Sequence, residues 1–306
     1  MLAALFCTIL FSVSIVCGHR TAKLIGGTEA NFWRLTCATL FLGLWSFGRG
    51  VGLSGAAFPD FLLSGVIGIG IGDVALFQAL PRLGSRLSLL LINCLTAPFG
   101  ALLEWFWLGT ALTRGQILSG LVILLGVGLA LMPGKHLRFT PRQLAVGLSF
   151  CLLSALGGAG GAVLSRKAYA IAHLNAQHLG GPDAAFQRVV GGLFIAAVCL
   201  LIVKRGVLKT QTAASPQLIV EVSRKKWSAV WPFVLVNGLA GQTFGVSCMQ
   251  WALETTPTGI VLAILATTPV VVLPFSILFE GERPTFHSLA GGAIAVAGVI
   301  ALVLSR

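Results

Sequence analysis

Charge is scarce in this chain. Only 10% of its 306 residues are Asp, Glu, Lys or Arg, against about 25% in a soluble globular domain. Catalytic signatures are missing as well. There is no GxSxG and no HExxH, and the five histidines are scattered, mostly at helix ends and in loops. No CxxC or other metal-ligand spacing occurs among the seven cysteines, and each falls in an apolar segment. They read as small apolar fillers. No ATP-binding motif is present. The stretch GIGIGD before Val74 is not a nucleotide loop, because it lies inside an apolar helix rather than between strand and helix. No catalytic residues, metal or cofactor are expected.

What is present is apolar. Hydrophobic residues make up 56% of the chain, and the mean hydropathy is +0.94. So short a chain cannot hide that much apolar surface in a soluble core, but a bilayer accommodates it. The 38 Gly and 12 Pro also suit membrane helices, where both are more frequent than in soluble ones. The net charge of +12 would point to nucleic acid in a soluble protein. Here the bases sit in short loops and at helix ends, so the expected partner is the anionic lipid surface, not nucleic acid.

A crossing needs roughly 20 apolar residues. Ten segments qualify: 2–25, 31–47, 58–80, 86–108, 114–133, 143–171, 184–203, 229–252, 258–279 and 286–305. We number them spans 1 to 10. Their apolar runs are continuous rather than alternating, which predicts helices and not a barrel. The first, MLAALFCTILFSVSIVCG, lacks a basic leader and a small-residue cleavage site, so it reads as a retained membrane helix.

The two halves match in order. Phe32-Trp33-Arg34 in span 2 resembles Phe186-Gln187-Arg188 in span 7, and His19-Arg20 in span 1 resembles Ser165-Arg166 in span 6. Gln78-Ala79-Leu80 corresponds to Gln250-Trp251-Ala252-Leu253, and Thr96-Ala97-Pro98 to Thr267-Thr268-Pro269. Leu118 and Gly120 correspond to Leu289 and Gly291. One such match is chance, but five in sequence order imply a tandem duplication, residues 1–134 and 135–306. A unit that crosses five times ends on the side opposite its start, so its copy inserts upside down. The fold expected is an all-α integral membrane protein of ten transmembrane helices in two inverted five-helix repeats, a plan shared by many secondary transporters.

With these residues in view the chain resembles the drug/metabolite transporter superfamily, in particular its ten-helix members with two EamA-type domains. Arg34 and Arg188 early in the second span of each unit carry the resemblance, with Pro98 and Pro269 in the fourth. The link Phe279-Glu280-Gly281-Glu282-Arg283 is similar to the family's Gly-Glu-Arg turn. The first half departs there, because Leu108-Gly109-Thr110-Ala111 keeps the Gly but lacks the Glu. The resemblance implies transport of small organic solutes, often export, in a multi-pass protein of a bacterial-type inner membrane.

Candidate site residues follow from the cost of polarity in lipid. An ionisable group at mid-bilayer costs roughly 2.5–3.5 kcal/mol on insertion scales, so it needs a reason. Asp73 reads as the only acid deep in a helix, either a protonatable cavity carboxylate or a structural partner of an Arg. Arg34 and Arg188 present rigid forks suited to carboxylate or phosphate, although long basic chains also snorkel to headgroups. Gln78, Asn93, Asn237, Gln242 and Gln250 are either packing glue or lining for a polar cavity. Thr96, Thr267 and Thr268 precede Pro98 and Pro269, where a missing backbone donor creates a local break. Glu104, Arg20, Arg166 and Lys167 read as interfacial. Gly68/Gly72, Gly157/Gly161 and Gly241/Gly245 are small-residue pairs for close helix packing. The expected cavity lies at midplane among spans 1, 3, 4, 6, 8 and 9.

A secondary transporter is the leading reading, with small organic solutes (amino acids, organic anions or similar metabolites), membrane lipids and a coupling proton as partners. A carboxylate inside a membrane can take up a proton because low dielectric disfavours its charge. A membrane-embedded enzyme would need clustered acids and histidines. A non-transporting scaffold would bring a soluble domain or long tail. Orientation has two opposed indications. Loops after spans 3, 5, 7 and 9 carry twelve Lys and Arg against Arg49, Arg114 and Arg306 on the other side. That bias puts both termini outside, whereas the family resemblance implies the reverse.

Overall fold

The computed structural model describes residues 1–130, 140–208, 216–268, 270–272 and 286–304. Pro269 and the link 279–283 lie outside the described residues. The described chain is helical, with short connections: α1 (Leu2–Ile25), α2 (Gly27–Arg49), α3 (Phe58–Gly65), α4 (Gly72–Leu108), α5 (Arg114–Ala130), α6 (Pro141–Leu174), α7 (Gly181–Leu208), α8 (Pro216–Asn237), α9 (Val246–Thr255), α10 (Thr258–Leu265) and α11 (Phe286–Leu304). Among the described residues six helical stretches are long and apolar enough to cross a membrane, and shorter apolar helices accompany them. This is a multi-pass membrane protein.

Local chemistry sets several boundaries. Gly109 ends α4 in the left-handed conformation, φ 68°, where glycine pays no Cβ penalty. Thr140 opens α6 with a capping box to Gln143, followed by Pro141. The connection expected between residues 204 and 228 is shorter than the hydropathy implied, because α7 runs to Leu208 and α8 starts at Pro216. Charged residues there continue the helices past the apolar stretch.

Spans 3 and 4 are also not separated by an irregular loop. The backbone is helical throughout Gly72–Leu108, 37 residues, which would be about 55 Å if straight. That exceeds the ~30 Å hydrocarbon layer, and the packing shows the chain turning back. Gly157 of α6 lies against Gly72, and Gly147 against Leu83. Further along, Gly158 of α6 lies against Thr96 and Arg166 against Glu104. The chain therefore runs down α6 and then up it again, reversing between Leu83 and Thr96.

The inverted duplication is visible in how equivalent spans pair. Span 2 packs on span 7 in opposite directions: Gly43 meets Phe186 and Ser46 meets Asp183. Span 5 packs on span 10 likewise, with Gly126 against Gly291 and Ala295, and Ile123 against Gly298. Spans 1 and 8 run antiparallel through Gly18 with Asn237 and Phe11 with Gly245. Spans 6 and 3 repeat this through Ser165 with Ser64 and Gly161 with Gly68. The small-residue pairs of spans 3 and 6 thus pack on one another. In lipid, where hydrophobicity does not drive helices together, such close approach is what holds them.

Each half carries one feature that hydropathy does not encode. A π-helical turn, Val66–Ile71, interrupts span 3, and another, Gly238–Gly245, interrupts span 8. They start at the same offset that relates Gln78 to Gln250. Beside them sit similar close contacts, one residue apart in register. A Cβ on Gly65 would overlap the Arg188 backbone carbonyl, and one on Gly238 would come within 3.0 Å of the Arg34 carbonyl. π turns in membrane and soluble helices alike gather at functional sites.

Candidate functional site

Asp73 emerges from the end of the span 3 π turn, in the first turn of α4. Arg34 approaches it from α2: Nη2 donates to Asp73 Oδ2 at 2.5 Å, and Nε donates to Asn31 Oδ1 at 2.8 Å. The two side chains are 17% and 20% exposed, so the pair is largely enclosed yet reachable. Charge-assisted forks of this kind are the stronger hydrogen bonds of a protein.

Arg188 stands at the equivalent point of α7 and is 3% exposed. Its Nε has no hydrogen-bond partner, and its Nη2 lies 3.1 Å from where a Cβ on Gly68 would sit. Asp73 and Tyr169 are close enough to act on it electrostatically. Among the described residues, no carboxylate forms an ion pair with it.

The other expected site residues divide into two groups. Gln78 is exposed and accepts from Arg82 at 3.0 Å. Asn93 donates to Leu89 O at 2.8 Å, Thr96 to Ile92 O at 2.6 Å and Thr267 to Ile264 O at 2.7 Å, all within their own spans. These four are locally satisfied. Gln242 and Gln250 are buried, the latter completely, and Gln242 Oε1 and both amide atoms of Gln250 lack partners. Asn237 is glue, accepting from Ser14 at 2.6 Å. Pro98 lies on a pocket of about 460 Å³ with Ala101, Trp105, Ile117 and Ile260. That pocket is apolar and sits on the outer side of spans 4, 5 and 9, where Trp105 and Ile117 are exposed. It does not contain the Arg34–Asp73 pair.

Two sequence expectations are overturned. Glu104 is not interfacial: it is 1% exposed. Arg166 is not a surface anchor, because its Nε lies 2.7 Å from Glu104 Oε1 as an ion pair, off the line of a hydrogen bond. Its Nη1 donates to Thr256 O at 2.6 Å and Leu253 O at 3.0 Å. Glu104 Oε2 accepts from the Thr258 N–H at the start of α10, where a helix N-terminus favours negative charge. One ion pair therefore ties spans 4, 6, 8 and 9 together at one end of the bundle. Asp73 is not the only buried acid.

The prolines also differ. Span 4 stays helical through Pro98, whereas span 9 breaks into a turn at Ala266–Thr267. Proline at 269 brings no N–H, so the Leu265 carbonyl loses its usual donor. The Thr268 hydroxyl supplies one at 2.6 Å, and Ser12 donates across from span 1 to the Thr268 carbonyl at 3.2 Å.

Comparison with known proteins places this arrangement. No curated protein matches the sequence. Among solved structures, one crystal structure superposes with a TM-score of 0.74 at 14% identity, covering 99% of this chain and 96% of the other; at that identity the likeness is one of fold. The model of the EamA-like transporter family matches residues 1–132 and again 145–304. Two copies of one family unit spanning nearly the whole chain, on an inverted ten-span membrane fold, mean that this protein belongs to the EamA-like transporter family.

Proposed function

We propose that the protein is a gradient-driven exporter or exchanger of small organic metabolites, resident in a bacterial-type inner membrane. It works by alternating access around the midplane between two repeats that meet near residue 134. The Arg34–Asp73 pair carries this reading. A carboxylate held by one guanidinium at 2.5 Å inside a bundle has two stable states, charged and paired or protonated and released. A proton arriving on an Asp73 carboxyl oxygen frees Arg34, and its departure restores the pair. Such a bistable contact is what couples an ion gradient to a rearrangement. The Glu104–Arg166 tie supports closure at its end of the bundle, since spans 4, 6, 8 and 9 must part there to open it.

The test is flux in proteoliposomes holding the purified protein, loaded with a labelled mixture of amino acids and carboxylic acids. An imposed pH gradient should drive efflux. Flux that ignores pH but follows an imposed sodium gradient sinks proton coupling. A requirement for added ATP sinks the whole class.

A further inference from the structure

The duplication gives each repeat one arginine at the same place but gives only one of them its partners. Arg34 is held by Asn31, one turn earlier on its own helix, and by Asp73. In the second repeat the residue at the Asn31 position is Ala185, and the residue at the Asp73 position is Gly245. Neither has a side chain that can accept a hydrogen bond. Arg188 nonetheless is more buried than Arg34, and its Nε is unpartnered. Removing the partner of a buried charge is among the costliest changes a protein can suffer. Arg188 keeps Asp73 and Tyr169 only as electrostatic neighbours, so its Nε has no hydrogen-bond acceptor of the kind Asn31 gives Arg34.

The surroundings agree. Nη2 packs on Gly68, where a Cβ would come within 3.1 Å of it, with the Gly161 and Gly157 backbone on the far side; only a residue without a side chain lets the guanidinium sit there. A guanidinium fork matches the two oxygens of a carboxylate, and in the first repeat the same fork already takes one, from Asp73.

We propose that Arg188 is the subsite for the carboxylate of the transported solute, which restricts the cargo to small organic acids and amino acids. The solute carboxylate takes at Arg188 the place that Asp73 takes at Arg34. This inference rests on the transporter reading and adds the substrate class to it.

The experiment uses purified full-length protein and matched probes: L-glutamate and L-malate against their diamides, L-glutamamide (both carboxyls amidated) and malamide, which carry no carboxylate, at equal ionic strength. Thermal stabilisation reports binding, and exchange of the same labelled compounds in proteoliposomes reports transport. The acids should raise the melting temperature and the amides should not. Arg188→Gln should weaken apparent acid affinity roughly tenfold to a hundredfold, the worth of a charge-assisted hydrogen bond. Arg188→Lys should recover part of that loss. Should Arg188→Gln fail to fold, Ala185→Asn gives Arg188 the internal partner that Arg34 has. Acid affinity should then fall while the guanidinium stays in place. Equal protection by acids and amides, or unchanged acid affinity in both Arg188→Gln and Ala185→Asn, overturns the inference. Exchange of amides but not acids, unaffected by these variants, overturns it while leaving transport intact. Absence of exchange for every compound in the loaded mixture sinks the transport reading instead.

Discussion

Arg34 and Arg188 occupy the same position in two copies of one unit, yet one sits in a completed ion pair and the other is enclosed without a partner. The difference extends beyond the arginines. Next to Asp73 of the first repeat, Gly157 of span 6 lies against Gly72. Beside Gly245 of the second repeat, the counterpart of Gly157 is Phe11 of span 1, and its ring packs where a Cβ on Gly245 would come within 2.6 Å. At one site a glycine packs on a glycine beside an acid; at the other a phenylalanine packs on a glycine that stands in the acid's place. The tight packing a protein interior demands is kept at both sites, but the charge is not. The lesson is that duplication copies a backbone with its close contacts, while the chemistry of each copy is free to diverge. A transporter benefits from that divergence: identical halves would hold the same ion pair on both sides, with no preference for either state.

Breaking the completed pair should produce the largest effect. Asp73→Asn leaves Arg34 with a neutral amide and removes the protonatable group. Stability should fall by about 3 kcal/mol, the lower end for breaking a buried pair, because this pair is partly exposed. Flux driven by a pH gradient should collapse, and residual exchange should become independent of pH. Measuring exchange over a range of pH in vesicles checks this. Unchanged coupling would remove Asp73 from the mechanism.

The tie at the other end sharpens the same comparison, because it too exists once. The residue equivalent to Glu104 is Phe275. Glu104→Gln keeps the shape but removes the charge facing Arg166 and the Thr258 N–H. We expect roughly 2–3 kcal/mol of lost stability, and easier opening at that end. Cysteine labelling at the start of α10, faster in the variant than in the wild type, would report the opening. No change in labelling would mean the tie is structural only.

The close contacts beside the π turns allow a third comparison. A side chain at 65 would overlap the Arg188 carbonyl, whereas one at 238 has 3.0 Å to the Arg34 carbonyl. Gly65→Ala should therefore destabilise by about 1–3 kcal/mol, the usual cost of overpacking, and Gly238→Ala by clearly less. Melting curves of the two variants in one detergent decide it. Equal losses would show that the two contacts are equally tight.

The inverted architecture was legible in the sequence because it rests on order: Arg34 with Arg188 and Gln78 with Gln250 keep their places along both halves. The Arg34–Asp73 pair was half legible. Both charges stood out against an apolar background, but nothing in the sequence said which arginine Asp73 would choose. Glu104 was misread because it stands near a helix end between Leu103 and Trp105, the composition of a headgroup belt. Its true partner lies in another repeat, and hydropathy carries no contact information. Gln78 was misread for a related reason: a neutral amide in an apolar run does not declare which face of the helix it is on. The π turns left no trace, because they change hydrogen-bond register without changing residue type.

The smallest expected effect concerns two threonines that precede the prolines. Thr96 and Thr268 both donate to carbonyls of their own helices, at 2.6 Å in each case. Their settings differ. Around Thr96 the helix continues through Pro98, and the Ile92 carbonyl it takes is shared with helical backbone geometry. Around Thr268 the helix has broken, and the Leu265 carbonyl it takes is the one deprived of a donor by proline at 269. Removing a donor from an already satisfied acceptor costs little, whereas leaving a buried carbonyl unpaired costs its desolvation. Thr268→Val, nearly equal in volume, should therefore lower stability by about 1–2 kcal/mol, and Thr96→Val by about 0.5 kcal/mol or less, as for a redundant bond. The same Thr268 backbone accepts from Ser12 of span 1, so Ser12→Ala combined with Thr268→Val should cost more than the sum of the two. A double-mutant cycle on melting temperature measures that coupling. Strict additivity would mean the broken turn of span 9 and the span 1 contact act independently, and the proline break would then be a local feature rather than part of the joint between repeats.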